Sequence, residues 1–414
     1  MNILFISQVV PYPPHGGVLQ RGYNLLRQIS KRNNVHLLAF IHPDTLPNEN
    51  SLEEAYRKLG RFCNQVEFFP LWVKKSRAHF LLGTVLGIFS VEPFSVIAHR
   101  SKRLETRISE IMKSSKFDLV HFDTVGLAQF GKGHEEVPCL LTHHNIESKL
   151  LRRRAEVEKL FPARWYLSRQ AEKLQRYENQ KAKKFGSNIM VSELDAQEIK
   201  LLIPGVKTSV VSNGVDLEYF SPRQENESEA LIYTGGMNMF ANRDAVSFFV
   251  KEILPIIRNA IPSVEFYAIG QNPPSHMLEM ASKDDRIKVP GYVDDIRPYV
   301  NRAQVYVVPL RVGGGTRLKI LDAMAMGKAI VSTSVGCEGL DVSPGSNIIV
   351  ADDPEKFAAK TIEALKDRAM RAKLGKAARK LVQEKYSWER IGEQLQEVYE
   401  SVYKEKRKGY TAQK

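Results

Sequence analysis

The chain has 414 residues, 43% hydrophobic and 26% charged, the balance of a soluble globular protein and too long for one core, so two domains are expected. Its three cysteines, Cys63, Cys139 and Cys337, are odd in number and form no CxxC pair, which excludes a disulfide framework or a zinc site and favours a reducing compartment. Of the net charge of +13, residues 1–215 hold 31 Lys and Arg against 20 Asp and Glu, and residues 216–414 hold 29 against 27, so an acidic partner of the first half is expected.

The N-terminal MNILFISQVV has no basic leader and no small-residue cleavage site; it reads as a buried strand over Ile3–Ser7 and not as a signal peptide. Next, PYPPHGG places Gly16 and Gly17 at the start of an amphipathic helix, an anion-tolerant helix start or a plain glycine turn. Its spacing is not GxGxxG, so no dinucleotide fingerprint is present. Strands follow at Val35–Phe40 and Val66–Leu71. The apolar run from Phe80 to Val91 is well short of the roughly 20 residues needed to span a bilayer.

Strand Leu119–Phe122 precedes strand Cys139–Thr142, which runs out into His143, His144, Asn145 and Glu147. Polar groups at a parallel strand's carboxyl end are placed to meet a sugar. Adjacent histidines alternate sides, so one of them, and not a metal pair, is the candidate. Arg152–Arg154 and the stretch from Arg164 to Lys184 form a basic helical region. It reads as a solvated face or, with Trp165, Tyr166 and Leu167, as a contact with an anionic membrane. A sixth strand, Asn188–Val191, completes the first half.

The polar, turn-rich Ser212–Glu229 marks the change of domain. Six more strands follow at Leu231–Thr234, Val264–Gly270, Ile287–Val289, Val305–Pro309, Ala329–Thr333 and Ile348–Ala351. Continuous apolar strands alternating with helical patterns predict two Rossmann-like, doubly wound parallel sheets. Domain one spans 1–212 and domain two 213–387. The apolar residues Trp388, Ile391, Leu395, Val398 and Val402 predict an amphipathic helix over 388–404, ahead of a loose basic tail.

After strand Val305–Pro309 comes RVGGGTRLKILDAMAMG. Gly313, Gly314 and Gly315, with Thr316, let backbone N–H groups approach an anion at a helix start. Arg317 and Lys319 stand in the first helical turn, where a cation is unfavourable by roughly 0.3–1 kcal/mol. An anion such as a diphosphate in front of them accounts for that choice; two solvated side chains are the bland alternative. Asp322 either pairs with Lys319 or accepts hydrogen bonds from a ligand hydroxyl. Glu338, in the next glycine loop, reaches the cleft or caps a turn. The pairs Asp284–Asp285, Asp294–Asp295 and Asp352–Asp353 read as turn residues, so no metal is expected.

The ordered segments PPHGG, HHNIES, VSNGVD, YTGGMN, PGYVDD, VPLRVGGGTRLKILDAMAMGKAIVST and GCEGL resemble the family-4 retaining glycosyltransferases of GT-B fold over almost the full length. The resemblance implies two Rossmann-like domains facing a central cleft, with the C-terminal helix crossing back to the first. It further implies a nucleotide-diphosphate sugar held by the second domain and a glycan or lipid-linked acceptor held by the first, in cell-surface polysaccharide assembly. Arg317 and Lys319 would hold the diphosphate, Asp322 the ribose, and Gly291, Tyr292 and Val293 the base. Gly16 and Gly17 would approach the diphosphate, and His144 the donor sugar. Two departures stand out. The family's paired acids fall at Gly314 and Asp322, so the first is missing and its contact passes to backbone N–H groups of the glycine loop. The basic pair usual after the second domain's first strand is also absent, since GGMNMFANRD carries only Arg243; Arg317 and Lys319 are expected to compensate.

The expected protein is therefore a cytoplasmic, metal-independent transferase, peripheral to the inner face of the plasma membrane through its basic first domain, with no nucleic-acid partner. The rival readings are a sugar-nucleotide isomerase or epimerase of the same fold and a non-catalytic nucleotide-sugar-binding protein.

Overall fold

The computed structural model describes residues 1–411 apart from 15, 134–135, 224–226 and 314–316, with side chains described as far as Lys408. It divides into two units, Met1–Ser212 with Ile391–Lys414, and Asn213–Arg390.

The first unit holds one parallel sheet of seven strands: β1 Asn2–Ser7, β2 Asn34–Ile41, β3 Gln65–Pro70, β4 Leu119–Phe122, β5 Cys139–His143, β6 Ser187–Met190 and β7 Thr208–Val210. Their order is β3-β2-β1-β4-β5-β6-β7. Six strands were expected. The seventh, Thr-Ser-Val at the sheet edge, is three residues long and half-buried, too short and too polar to show an apolar run. The centre behaves as a strand buried on both faces must: Ile3, Leu4, Phe5 and Ile6 are all fully buried.

The second unit holds six parallel strands: β8 Ser228–Thr234, β9 Glu265–Ile269, β10 Ile287–Gly291, β11 Ala303–Val308, β12 Ala329–Ser332 and β13 Ile349–Val350, in the order β10-β9-β8-β11-β12-β13. Each sheet reverses its winding direction once, between β1 and β4 and between β8 and β11. At such a reversal the two flanking crossovers depart to opposite faces and leave a crevice at the strands' carboxyl ends. Both candidate sites lie there.

The last helix, Trp388–Thr411, is longer than expected and takes up most of the segment read as a loose tail. From Ile391 onward it belongs to the first unit. Ile391, Leu395, Tyr399 and Val402 are its buried stripe, while Val398 turns aside, half-buried. The stripe ends in a polar anchor: Tyr399 OH lies 2.6 Å from Nδ1 of the fully buried His121, whose Nε2 meets Thr142 Oγ1 at 2.7 Å. Burial pushes the His121 imidazole down to about 3, so the pair is a neutral one. Replacing Tyr399 by Phe leaves a buried ring nitrogen unsatisfied. Such a loss costs about 1–3 kcal/mol, to be read as a lower urea midpoint for unfolding of the first unit.

Candidate functional site

In the second unit, β8 ends at Thr234 and the chain turns through Gly235 and Gly236 before the helix Phe240–Phe248. Strand ends β8, β9 and β10 are tied in line, Gly235 N donating to Ile269 O at 2.9 Å and Gly270 N to Gly291 O at 3.0 Å. Onto this edge comes Lys319, the second residue of the helix Leu318–Ala325 that follows β11. Its Nζ donates to Tyr233 OH at 2.7 Å and to Asn242 Oδ1 at 2.9 Å, and lies 3.9 Å from the centre of the Tyr233 ring. Asn242 in turn accepts from Tyr233 OH at 2.6 Å and donates to Gly236 O at 2.8 Å. At Gly235 a glycine is obligatory: φ is +156°, and a Cβ would stand 2.5 Å from Lys319 Nζ.

Lys319 is thus held in a neutral cage, and among the described residues it pairs with no carboxylate. Desolvation first, and the Arg317 charge second, push its ammonium well below the usual lysine range. Arg317 is the cap residue ahead of the helix and not, as expected, a member of its first turn. Its guanidinium folds onto Gly313, where φ is +148° and a Cβ would collide with it. Gly314, Gly315 and Thr316 lie outside the described residues.

Asp322 makes no ion pair with Lys319. Its Oδ1 is buried without a hydrogen-bond partner, and burial, reinforced by Asp216, raises its carboxyl to about 8. Gly291, Tyr292 and Val293 lie where β10 ends, with Tyr292 exposed and Val293 packed on the core. Glu338 is half-buried in the turn after β12. Arg243 reaches back to the carbonyls of Met237 (3.2 Å) and Asn238 (2.7 Å), so it braces the loop after β8. The aspartate pairs are turn and cap residues: Asp353 caps the helix Pro354–Lys366, Asp352 accepts from Ser334, and Asp295 pairs with Arg297.

In the first unit, Ser7 ends β1 and Asp123 follows β4, on the two sides of the reversal. Ser7 Oγ lies 2.8 Å from Val9 O and 3.3 Å from Asp123 Oδ2. His144 presents Nε2 to Asp123 O at 2.8 Å and to Asp123 Oδ1 at 3.4 Å. The two histidines part as strand geometry requires. His143 is buried against Asn188 at 3.0 Å, its imidazole pushed down to about 4, while His144 stays partly accessible. Glu147 accepts from Thr124 Oγ1 at 2.7 Å and is raised by burial. Gly16 and Gly17 open the helix Gly17–Ile29, with nothing within 4 Å of a Cβ built at Gly16. Fully buried Arg21 on this helix donates to Ser212 O and Val211 O at 2.8 and 2.7 Å.

Sequence reading missed Tyr233, Asn242, Asp123 and Arg21. Asp123 had a signal, an acid directly after a predicted parallel strand. The Tyr233–Asn242–Lys319 cage had none, since its members are far apart in sequence.

Residues 15–219 match the model of Glycosyltransferase Family 4, and residues 228–367 that of Glycosyl transferases group 1. Among curated proteins, the chain is 24% identical over 183 residues to an uncharacterized 44.6 kDa protein in the cps region of Klebsiella pneumoniae, covering 42% of this chain and 45% of that protein. It is 25% identical over 210 residues to the GDP-mannose-dependent monoacylated alpha-(1-6)-phosphatidylinositol monomannoside mannosyltransferase of Corynebacterium glutamicum, covering 46% and 55%. The chain spans about half the length of the curated relatives it matches. Of solved structures, sucrose-phosphate synthase from Thermosynechococcus elongatus superposes with a TM-score of 0.69 at 18% identity, covering 97% of this chain and 99% of that one. Anabaena HepE in complex with UDP gives 0.67 at 15% identity, covering 97% and 100%. These likenesses are likenesses of fold.

The buried Asp322 carboxyl makes a pH prediction. Its folded value, about 8, lies above the ordinary 3.8, so the folded state holds the proton more tightly than the unfolded one. Asp322 therefore favours folding below the ordinary value, and that contribution is lost as pH rises towards the folded one. Asp322→Asn should show a smaller fall in melting temperature than the parent across this window, measured by thermal unfolding without ligand.

Proposed function

The chain belongs to the family-4 glycosyltransferases of GT-B fold, and from that premise we propose that it transfers a glycosyl group, with retention of configuration, from a nucleotide-diphosphate sugar to a glycan or lipid-linked acceptor. Cell-surface polysaccharide or glycolipid assembly at the cytoplasmic side is the setting. A cps-region protein and a phosphatidylinositol monomannoside mannosyltransferase among its relatives support this.

The observation that carries the reading is Lys319. An ammonium drawn out of water onto a crevice edge beside a second cation, with only neutral partners among the described residues, is stabilised by an incoming anion. The leaving diphosphate supplies that anion. Lys319 and Arg317 then take the part that a metal ion plays elsewhere, so turnover proceeds with EDTA present. Asp322, with an acceptor oxygen unused, receives the ribose hydroxyls. Gly291 to Val293 face the base, and Gly313 to Thr316, with Glu338, the diphosphate and donor sugar. From the first unit His144 serves the donor sugar, and the N–H groups of Gly16 and Gly17 the diphosphate.

The direct test is a thermal-shift screen against UDP, GDP, ADP, TDP and CMP, with and without magnesium. A ligand at about 100 times its Kd stabilises the fold by roughly 2.7 kcal/mol. GDP and UDP head the screen, because relatives are named for GDP-mannose and for a UDP complex. A metal-independent shift with one diphosphate, lost in Arg317→Ala, is expected; no shift with any of them refutes the donor site. Losing a charged hydrogen bond costs roughly 1.5–3 kcal/mol, so Arg317→Ala and Lys319→Ala should each lower kcat/KM by about ten- to a hundredfold. Donor conversion without any acceptor would instead favour an isomerase, and binding without consumption a non-catalytic protein.

A further inference from the structure

The helix Arg77–Phe89 is built inside out for a water-soluble surface. Its small residues face the body of the first unit. A Cβ at Gly83 would stand 2.9 Å from Val73 Cγ1, and one at Gly87 3.1 Å from Tyr166 OH and 3.4 Å from Gln170 Nε2. Two buried side chains hold it there: Gln170 and Lys173 each donate to Gly87 O at 2.8 Å, and Lys173 also to Ile88 O and Ser90 O. The orientation is therefore imposed from the inside, and the large apolar residues are left outward. Phe80 is 51% exposed, Leu81 64% and Phe89 84%.

A second apolar group continues the patch. The contacts of Gly87 with Tyr166 and Gln170, and of Ser90 with Lys173, run this helix alongside Phe161–Ala182 in the same direction. At the start of that neighbouring helix Leu160 (69% exposed), Phe161 (77%) and Trp165 (50%) are also turned to solvent. Contiguous exposed apolar surface of this kind marks an interaction site. Its surroundings are cationic: residues 72–91 include Lys74, Lys75 and Arg77 with Glu absent and Asp absent, and residues 149–165 hold six Lys and Arg against two Glu. A second copy apposed across a twofold axis would set this rim against itself.

We propose that this face docks on an anionic lipid bilayer, the helix Arg77–Phe89 lying in the interface plane with Phe80, Leu81 and Phe89 among the acyl chains and Lys75, Arg77, Lys159 and Arg164 at the headgroups. At 13 residues the helix is about 20 Å long, enough to lie on a bilayer and too short to span it. The inference deepens the acceptor side of the transferase reading and rests on it for its purpose, since a lipid-linked acceptor is presented at such a surface.

The test is co-sedimentation of the full chain with phosphatidylcholine vesicles and with vesicles of equimolar phosphatidylcholine and phosphatidylglycerol. Binding to the anionic vesicles should be at least about tenfold tighter and should weaken with added salt. Leu81→Gln with Phe89→Gln should lower it by about tenfold or more. These side chains are exposed, so the melting temperature should hold; if the variant unfolds, Lys75→Glu with Arg77→Glu decides instead. Equal, weak sedimentation with both vesicle types overturns the proposal, as does a self-association of the parent that the Leu81→Gln, Phe89→Gln variant abolishes. Diphosphate thermal shifts in vesicle-free buffer test the donor site separately, so failure of either reading is told apart from failure of the other.

Discussion

An ammonium group taken out of water must be compensated where it lies, and the second unit is arranged around one that is only half compensated. Among the described residues Lys319 meets two oxygen acceptors and an aromatic face, all neutral. A phenol, an amide and a ring quadrupole each contribute modestly, less than a carboxylate at the same distance. The depressed lysine value follows from this, with Arg317 adding like-charge repulsion. A cage that orients a cation without neutralising it is preorganised for an anion. Little reorganisation is then left for the moment of binding.

Strand order explains why the cage forms where it does. Lys319 comes from the crossover after β11, while Tyr233 and Asn242 come from the end of β8 and the helix behind it. β8 and β11 are sequence-distant neighbours at the reversal of winding. Only there can two successive crossovers diverge and leave side chains from both to meet over a strand end. The first unit repeats the geometry with other chemistry. Ser7 and Asp123 face each other across the β1–β4 reversal, and His144 from β5 closes on Asp123. One unit gathers cations at its reversal and the other a carboxylate with an imidazole.

Much of this was legible in the sequence because parallel strands buried on both faces write themselves as apolar runs. The central strands β1, β2, β8 and β11 show such runs, while β10, Ile-Lys-Val-Pro-Gly, is broken by a lysine and β13 is only two residues long. Gly313, Arg317 and Lys319 stood out as well, since local composition at a helix start carries its own electrostatic logic. Contacts across long sequence separation were not. Of the two readings of Asp322, the pair with Lys319 is permitted by i,i+3 spacing, yet Lys319 turns away to β8 and Asp322 is left with an unused oxygen. The helix Arg77–Phe89 is a second case. In sequence it showed only an apolar run too short to span a bilayer, and the packing of Gly83 and Gly87 shows that large apolar side chains face out.

On the proposed reading, the departures from the family pattern are coupled electrostatically. A basic pair is missing from the loop after β8, and that loop is where the Lys319 ammonium comes to rest, against Gly235. On that reading the Lys319 ammonium stands in for the missing pair at this strand end. The same proposed reading covers the acid missing at position 314. A carboxylate in the glycine loop, a few residues from Arg317 and Lys319, would attract their charges and repel an arriving diphosphate. Exchanging it for glycine removes a competitor for both cations. The one acid retained on this helix, Asp322, is held by burial towards its protonated form. Lys319 and Arg317 then supply the positive charge of the proposed phosphate site.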